Sequence, residues 1–200
     1  METKTMVLAG VGGQGIMLAS RIFAEALFRM GYDVKQAEVH GLSQRGGSVM
    51  TYVRWGDKVW SPITGDYEAH YLVALEELEA LRYLHLVRPD GTVLINTYRF
   101  VPMSVSSGLK GPDGKPYTYP EDVPEIVRRN IPNVRTIDAL KLATEVGNAR
   151  VMNVVVVGAA SRLLGLDREV VRSTVADKVP RKYVDVNLRA FNRGWESVEV

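Results

Sequence analysis

Short apolar runs alternate with longer segments of helical periodicity along most of the chain, a pattern typical of a layered α/β fold. The apolar runs are rich in residues that favour strands and are bounded by turn-forming residues. They predict strands at Thr5–Ala9, Val34–Val39, Ser48–Trp55, Tyr71–Leu75, Thr92–Asn96 and Val134–Asp138. A further short strand is predicted at Lys58–Trp60, paired with the preceding strand across the Gly56-Asp57 turn.

The helical segments carry apolar residues at a spacing of three or four, so each helix buries one face. Asp167 is well placed to cap one of these helices, and Pro89-Asp90-Gly91 predicts a turn before a strand. The predicted helices span Gly13–Met30, Glu76–Val87, Glu121–Arg129, Ala139–Val146, Asn153–Leu164, Arg168–Lys178 and Lys182–Ser197.

The order of these elements predicts a three-layer α/β/α fold with helices on both faces of a mixed, mostly parallel sheet. The hairpin after the second strand is what makes the sheet mixed. We expect residues 1–200 to form one domain, because the sequence contains no internal repeat and no low-complexity run. The C-terminal helices are expected to cover one face of the sheet.

Two segments have an unusual composition. Pro102–Pro120, which we call the arm, is rich in Ser, Gly, Pro and Tyr and predicts an irregular segment or hairpin that packs on a partner. Gly158–Ser161 places four small residues together in an apolar helix, which permits close packing. The sequence leaves open whether that packing is against another subunit or within the core.

The composition excludes several classes of function. A net charge of +2 is too small to argue for binding to nucleic acid or to an anionic membrane. No apolar stretch reaches the ~20 residues of a membrane span, and the N-terminus lacks the pattern of a signal peptide. The absence of cysteine excludes thiolate metal sites and cysteine-ligated iron–sulfur clusters, and it suits a cytoplasmic protein. The three histidines do not have the spacing of metal ligands.

The first candidate site is a glycine turn between the first strand and the first helix. Gly10, Gly12 and Gly15 match the G-x-G-x-x-G pattern, with Gly13 and Gln14 inside it. Such a turn presents backbone N–H groups and the positive end of a helix to an anion. The same glycines would also suit a tight turn that serves packing alone, so both interpretations stay open.

The second candidate site is the loop Glu38–Val49, which combines an acid, a histidine, an amide, a guanidinium and three glycines. Arg45 suits a phosphate or carboxylate, or else a salt bridge across a subunit interface. His40 is either a general acid or base or a structural histidine that fixes the loop. Gln44 offers both a donor and an acceptor. The sequence shows no acidic cluster for Arg45 beyond Glu38.

The residues at the two ends of this loop bear on what it could bind. Gly46 and Gly47 allow a ligand or another backbone segment to approach closely, and Ser48 adds a hydroxyl. Glu38 follows Gly15 by roughly the 20 residues at which dinucleotide-binding folds place a ribose-binding acid. A standalone dinucleotide-dependent oxidoreductase is therefore one alternative, although no second cofactor-positioning motif follows the fourth strand.

Taken together, the two glycine segments resemble a known family, the gamma-type subunits of the 2-oxoacid:ferredoxin oxidoreductases, most closely the beta subunits of indolepyruvate ferredoxin oxidoreductases. The resemblance rests on Gly10–Gly15, Glu38–Gly41, Gln44–Val49 and Ser61-Pro62, with less specific blocks at Glu79–Leu84, Gly91–Val93, Asn96–Tyr98, Asn153–Val155 and Asn187–Phe191. It covers nearly the whole chain. Leu42-Ser43 replaces the Met-Ala that relatives often carry, a departure that bears on the substrate rather than on the family.

The resemblance implies a fold like domain III of pyruvate:ferredoxin oxidoreductase, with a Rossmann-like start. It implies a subunit of an enzyme that oxidatively decarboxylates a 2-oxo acid such as indolepyruvate to an acyl-CoA and reduces ferredoxin. The candidate catalytic residues are then His40, Gln44 and Arg45. The candidate ligand-binding residues are Gly10, Gly12, Gly13, Gln14, Gly15, Glu38, Gly46, Gly47 and Ser48.

The resemblance also implies cofactors and partners. Thiamine diphosphate, magnesium and iron–sulfur clusters are expected on a large partner subunit, with coenzyme A as co-substrate and ferredoxin reached through the complex. This chain should hold no cofactor covalently or through thiolates, should be inactive alone, and can form a homo-oligomer when isolated. A noncatalytic scaffold subunit with a vestigial anion site is the second alternative.

Overall fold

The structure is a computed structural model that describes residues 2–40 and 46–199, with the backbone alone for His40, Met103 and Ser104. Its strands are β1 (Lys4–Val11), β2 (Asp33–His40), β3 (Ser48–Gly56), β4 (Ala69–Ala74), β5 (Val87–Asn96) and β6 (Asn133–Ile137). They form one sheet in the order β2-β3-β1-β4-β5-β6. The pairs β1–β4, β4–β5 and β5–β6 are parallel, whereas β3 is antiparallel to both of its neighbours. The predicted mixed, mostly parallel sheet is confirmed.

Seven of the helices lie at the positions that the apolar periodicity predicts, with ends that differ by a few residues, and a further short helix inside the arm was not predicted. The helices are α1 (Ile16–Arg29), α2 (Glu77–Arg82), α3 (Met103–Ser106), α4 (Val123–Arg128), α5 (Ala139–Glu145), α6 (Met152–Leu163), α7 (Arg168–Lys178) and α8 (Val184–Glu196). Asp167 caps α7 as predicted, because its carboxylate accepts a hydrogen bond from Val170 N–H at 3.0 Å. The predicted helix Glu76–Val87 ends early, and a separate 3₁₀ turn follows it at Leu84–Leu86.

The sheet separates two apolar layers. Met6 and Leu8 of β1 pack in the layer that holds α1 and α5 to α8, whereas Val7 and Ala9 pack in the layer that holds α2 and α4. Successive side chains of a strand point to opposite faces, so a central strand covered on both faces is apolar throughout. The predicted α/β/α layering is therefore confirmed.

The predicted strand at Lys58–Trp60 is wrong. Both edges of β3 are already occupied, by β1 on one side and β2 on the other, so a returning strand would have no edge to pair with. The segment instead forms a loop, in which Val59 N–H donates to Asp33 Oδ2 at 2.9 Å.

The turn predicted at Pro89-Asp90-Gly91 lies inside β5 rather than before it, so its placement is wrong. Ala69 is paired with Val87 and Tyr71 with Thr92, so β5 carries extra residues at this point. Such a change in the pairing register is a β-bulge. A bulge accommodates residues that cannot continue the regular hydrogen-bond pattern between two strands.

The arm contains α3 and a small hairpin. Tyr117 N–H donates to Leu109 O at 2.9 Å, and Lys110 and Pro116 form a β-bridge around a tight turn. The side chains of Leu109 and Tyr117 are exposed. The predicted hairpin is confirmed, and its packing on a partner stays a prediction.

The small residues of α6 pack within the chain, against α8. Gly158 and Gly194 are both buried at the crossing. A Cβ on Gly158 would lie 2.1 Å from Phe191 O, and one on Gly194 would lie 1.9 Å from Val155 O. Of the two packing modes that the sequence left open, the structure shows close packing within the core.

Candidate functional site

The glycine segment after β1 forms a tight turn at the carboxyl edge of the parallel strands. Gly13 and Gly15 have φ of +104° and +80°, which residues with a side chain rarely adopt. Gly15 is the N-cap of α1, and among the described residues no side chain caps this helix. The positive end of α1 therefore faces the edge at which open α/β sheets bind ligands.

The side chains of Gln14 and Asn153 brace this turn. Gln14 Oε1 accepts a hydrogen bond from Val11 N–H at 2.8 Å, and Gln14 Nε2 donates to Leu75 O at 3.4 Å. Asn153 of α6 donates to Gly15 O at 3.2 Å. A Cβ on Gly10 would lie 2.7 Å from Gln14 Oε1, so this glycine is required for packing. The turn is thus rigid, and the Gln14 amide is engaged within the chain.

The second glycine segment lies directly against the first. Gly12 N–H donates to Gly47 O at 2.8 Å, and Gly46 N–H donates to Gly12 O at 3.2 Å. These bonds extend the antiparallel pairing of β1 with β3 beyond Val11 and Ser48. The two segments that the sequence singled out separately therefore form one surface.

Three sequence-predicted residues lie partly or wholly outside this description. Gln44 and Arg45 are not among the described residues, and His40 is described only by its backbone, as the last residue of β2. Ser48 is described in full. Its hydroxyl is bonded to Glu79 and lies 2.8 Å from the phenolic oxygen of Tyr83.

Glu38 lies on β2, facing a cleft of about 480 Å³ that the glycine turn, Met17 and Val49 also line. Its carboxylate is exposed and accepts a hydrogen bond from Gln36 Nε2 at 3.2 Å. In dinucleotide-binding folds the strand that carries the ribose-binding acid is next to β1. Here β3 lies between them and displaces Glu38 outward by about one strand spacing of 4.8 Å. This topology counts against the standalone dinucleotide alternative.

A second cleft, of about 520 Å³, lies on the other side of the same glycine turn. Tyr98, Phe100, Leu140 and Met152 provide apolar walls, and Arg150 provides a guanidinium. An apolar wall with one convergent cation suits a ligand that has both an apolar part and an anionic group.

Three buried glutamates at this edge were not predicted from the sequence. Glu76, Glu77 and Glu79 follow β4 directly and are 1%, 4% and 3% exposed. Buried carboxylates require charged or hydrogen-bonding partners, and all three have them. Their position after a central strand was a usable signal, because open α/β sheets place site residues there.

Glu76 connects α2 to both ends of the arm. Its Oε1 accepts hydrogen bonds from Phe100 N–H at 3.0 Å and from Tyr119 O–H at 2.5 Å. Its Oε2 accepts from Glu79 N–H at 3.1 Å and so caps α2. Burial, and then the bond to Glu76, raise the pKa of Tyr119 well above its ordinary value, which keeps the phenol protonated as a donor.

The neighbouring glutamates take their partners from the arm and from the loop. Glu77 pairs with Arg99 at 2.7 Å, just before the arm. Glu79 binds Ser48, at the end of the loop that contains Arg45. Glu79 is thus a buried acid at the end of the loop in addition to Glu38, whereas the acidic partner of Arg45 stays a prediction, because Arg45 lies outside the described residues.

A cleft of about 570 Å³ lies at the opposite edge of the sheet, but its two arginines are already paired within the chain. Arg54 donates to Ser61 O at 2.9 Å and to Ile63 O at 2.7 Å, and Arg88 contacts both Asp90 and His70. Burial, and then Arg88, lower the pKa of His70. Ligand sites of open α/β sheets lie at the carboxyl ends of strands, so we assign the site to the glycine edge.

Within the described ranges, no group of histidine, aspartate and glutamate side chains has a geometry that could hold a metal ion. The sequence contains no cysteine. In the same ranges, no helix is both long and apolar enough to cross a bilayer.

Comparisons with known proteins agree with this geometry. Residues 5–197 match the family described as pyruvate ferredoxin/flavodoxin oxidoreductase. The chain is 39% identical to indolepyruvate oxidoreductase subunit IorB of Thermococcus kodakarensis, over 100% of this chain and 98% of that one. It is 26% identical to the common gamma subunit of the pyruvate/ketoisovalerate oxidoreductases of Pyrococcus furiosus, over 96% and 95%.

A solved structure has the same fold within a longer chain. The 2-oxoglutarate:ferredoxin oxidoreductase of Magnetococcus marinus, solved with 2-oxoglutarate, coenzyme A and succinyl-CoA bound, superposes with a TM-score of 0.74 at 20% identity. The match covers 98% of this chain and 31% of that chain.

Proposed function

This chain belongs to the pyruvate ferredoxin/flavodoxin oxidoreductase family, and from that premise we propose that it is the small subunit of a cytoplasmic aryl 2-oxoacid:ferredoxin oxidoreductase. In the assembled enzyme a 2-oxo acid such as indolepyruvate loses carbon dioxide, its acyl group passes to the thiol of coenzyme A, and the released electrons reduce ferredoxin. Residues 1–200 act as one domain that forms a wall of the active site.

The observation that carries this proposal is the meeting of the two glycine segments, through the Gly12–Gly47 hydrogen bond of 2.8 Å. It joins the glycine turn at the start of α1 to the end of the loop that carries His40, Gln44 and Arg45, and on this proposal both segments serve one ligand or partner. The 39% identity to an indolepyruvate oxidoreductase subunit supports the aryl substrate.

The residues of this chain do not fit the enzyme's redox cofactors. The sequence lacks cysteine, and no described cluster of acids and histidines suits a metal ion. We therefore assign the iron–sulfur clusters and magnesium to a large partner subunit, and we propose that thiamine diphosphate lies there too, as the family resemblance implies. That the same fold forms 31% of a longer oxidoreductase chain supports such an arrangement.

Coenzyme A fits the glycine edge better. Backbone N–H groups at the end of α1, together with Arg150, suit phosphate groups, and Tyr98 and Phe100 offer apolar contact. The role of this chain is then to bind and orient the co-substrate, while the partner supplies the cofactors.

The test is reconstitution. We expect the isolated chain to give no reduction of methyl viologen with indolepyruvate and coenzyme A under anaerobic conditions, and the complex with its large subunit to be active. The large subunit alone is the matched control, and it should be inactive or strongly impaired. Turnover by the isolated chain would refute the subunit role.

Replacement of Arg45 tests whether the loop belongs to the site. In the reconstituted enzyme Arg45→Ala should lower activity by at least about tenfold, the scale of ~1.4 kcal/mol from one charge-assisted contact. The melting temperature of the isolated chain should hardly change. Arg172→Ala, on the partly exposed face of α7, is the control and should leave both quantities unchanged. Full activity of Arg45→Ala would favour the scaffold alternative.

A further inference from the structure

A chain of hydrogen bonds centred on the buried Glu79 carboxylate fixes the point at which the candidate loop enters β3. Ser48, the first residue of β3, donates its hydroxyl hydrogen to Glu79 Oε2, and its oxygen lies 2.8 Å from Tyr83 Oη. Because the hydroxyl hydrogen of Ser48 is already donated, the Tyr83 hydroxyl is the donor in the second bond. Arg82 Nε completes the chain by donating to Glu79 Oε1 at 3.0 Å.

The stability of α2 does not account for Glu79. The helix has only six residues, and its N-cap is Glu76. A carboxylate that is 3% exposed is costly to bury, and an apolar side chain would pack at such a position without that cost. The polar groups that the Glu79 carboxylate satisfies belong to Ser48, at the end of the loop, and to Arg82, three residues further along the same helix.

The bonds between the two glycine segments lie immediately beyond Ser48. Gly46 and Gly47 carry these bonds to Gly12, so the position of Ser48 sets the register in which the loop meets the glycine turn. A hydrogen-bond network built on a buried, fully paired carboxylate is rigid, and rigidity is what a site needs to hold its groups in position.

We infer that Glu79 is a positioning residue: through Ser48, it holds Gly46 and Gly47, at the end of the loop, in register with the glycine turn. Tyr83 supports it by fixing the Ser48 hydroxyl. The effect on turnover rests on the proposed function, whereas the effect on the contact between the glycine segments does not.

Amide hydrogen exchange, followed residue by residue by NMR, tests this inference. In Glu79→Ala, the amides of Gly12 and Gly46 should exchange at least tenfold faster, while those of Val7 and Leu72 in the sheet centre keep their rates. Glu79→Gln retains an acceptor oxygen for Ser48 and should restore most of the protection. The control is Glu77→Gln, a buried glutamate of the same helix that pairs with Arg99 and not with the loop.

Ser48→Ala removes the hydrogen bond between Ser48 and Glu79 while leaving Glu79 paired with Arg82. This variant provides the test if Glu79→Ala does not fold. Unchanged exchange at Gly12 and Gly46 in Ser48→Ala would overturn the inference. Uniform acceleration that includes Val7 and Leu72 would also overturn it, because it would reveal loss of global stability alone.

The reconstituted enzyme supplies the second measurement. We expect Glu79→Ala to raise the KM for the 2-oxo acid or coenzyme A at least fivefold. The KM of Glu79→Gln should lie close to the wild-type value. Faster exchange at Gly12 and Gly46 together with no activity in any complex, wild type included, would reject the proposed function and leave the positioning role intact. Faster exchange with wild-type kinetics would reject a positioning role in the reaction.

Discussion

A Gly194→Ala chain is expected to lose about 3 kcal/mol or more of its free energy of unfolding, at the upper end of the usual cost of overpacking. The new Cβ would lie 1.9 Å from Val155 O, so α6 and α8 would have to separate. Alanine gains about 1 kcal/mol over glycine in helix propensity, which does not offset such a clash. Urea unfolding followed by circular dichroism measures the difference.

The matched control is Gly65→Ala, where the added Cβ would meet only Glu68, at an ordinary contact distance of 3.6 Å. Its stability should stay within about 0.5 kcal/mol of wild type. Gly158→Ala, on the other side of the same crossing, should resemble Gly194→Ala. If Gly158→Ala and Gly194→Ala both have the same urea unfolding midpoint as wild type, α6 and α8 cannot be packed as closely as described.

Glu76→Ala should cost about 3 kcal/mol, because it leaves buried donors without an acceptor. Phe100 N–H and Tyr119 O–H both lose their shared partner, and Glu79 N–H loses the cap of α2. Loss of a helix cap alone is worth about 1 kcal/mol. The free energy of unfolding should therefore fall, and limited proteolysis should cut within the arm sooner than in wild type.

Two further substitutions define what Glu76 contributes. Glu76→Gln keeps an oxygen that can accept from Phe100 and Tyr119. Its amide NH₂ group would face Glu79 N–H, which also is a donor, so the cap of α2 is lost and the free energy of unfolding should fall by about 1 kcal/mol. Glu125→Ala removes an exposed glutamate paired with Arg128 and should be nearly neutral. A Glu76→Ala chain as stable as Glu125→Ala would mean that the arm is not held at this carboxylate.

Hydrophobic patterning predicted the layers well, because the strands that are covered on both faces carry long apolar runs. It could not predict that β3 inserts between β1 and β2, since strand order depends on which edges remain free. The error at Lys58–Trp60 has this origin. The displacement of Glu38 from β1, which separates this fold from a dinucleotide-binding one, has the same origin.

The candidate site was predicted in part. The glycine turn and the end of the loop were identified from their residue types, and the structure shows them hydrogen-bonded to each other. Glu76 and Glu79 were missed because a helix start rich in acids is usually solvated. Their burial depends on Phe100, Tyr119 and Ser48, which approach from distant parts of the sequence, so the local residue types did not reveal it, and only their position after a central strand pointed to the site.

The attachment of the arm has a practical consequence. Phe100 and Tyr119 bind the same oxygen atom of Glu76, so the intervening chain leaves and re-enters the fold at a single point. The entropic contribution to the free-energy cost of closing a loop rises by only about 0.6 kcal/mol for each doubling of its length. Residues at the hairpin tip, around Gly114, therefore offer an insertion point for a fluorescent label or affinity tag that leaves the sheet and the glycine edge undisturbed.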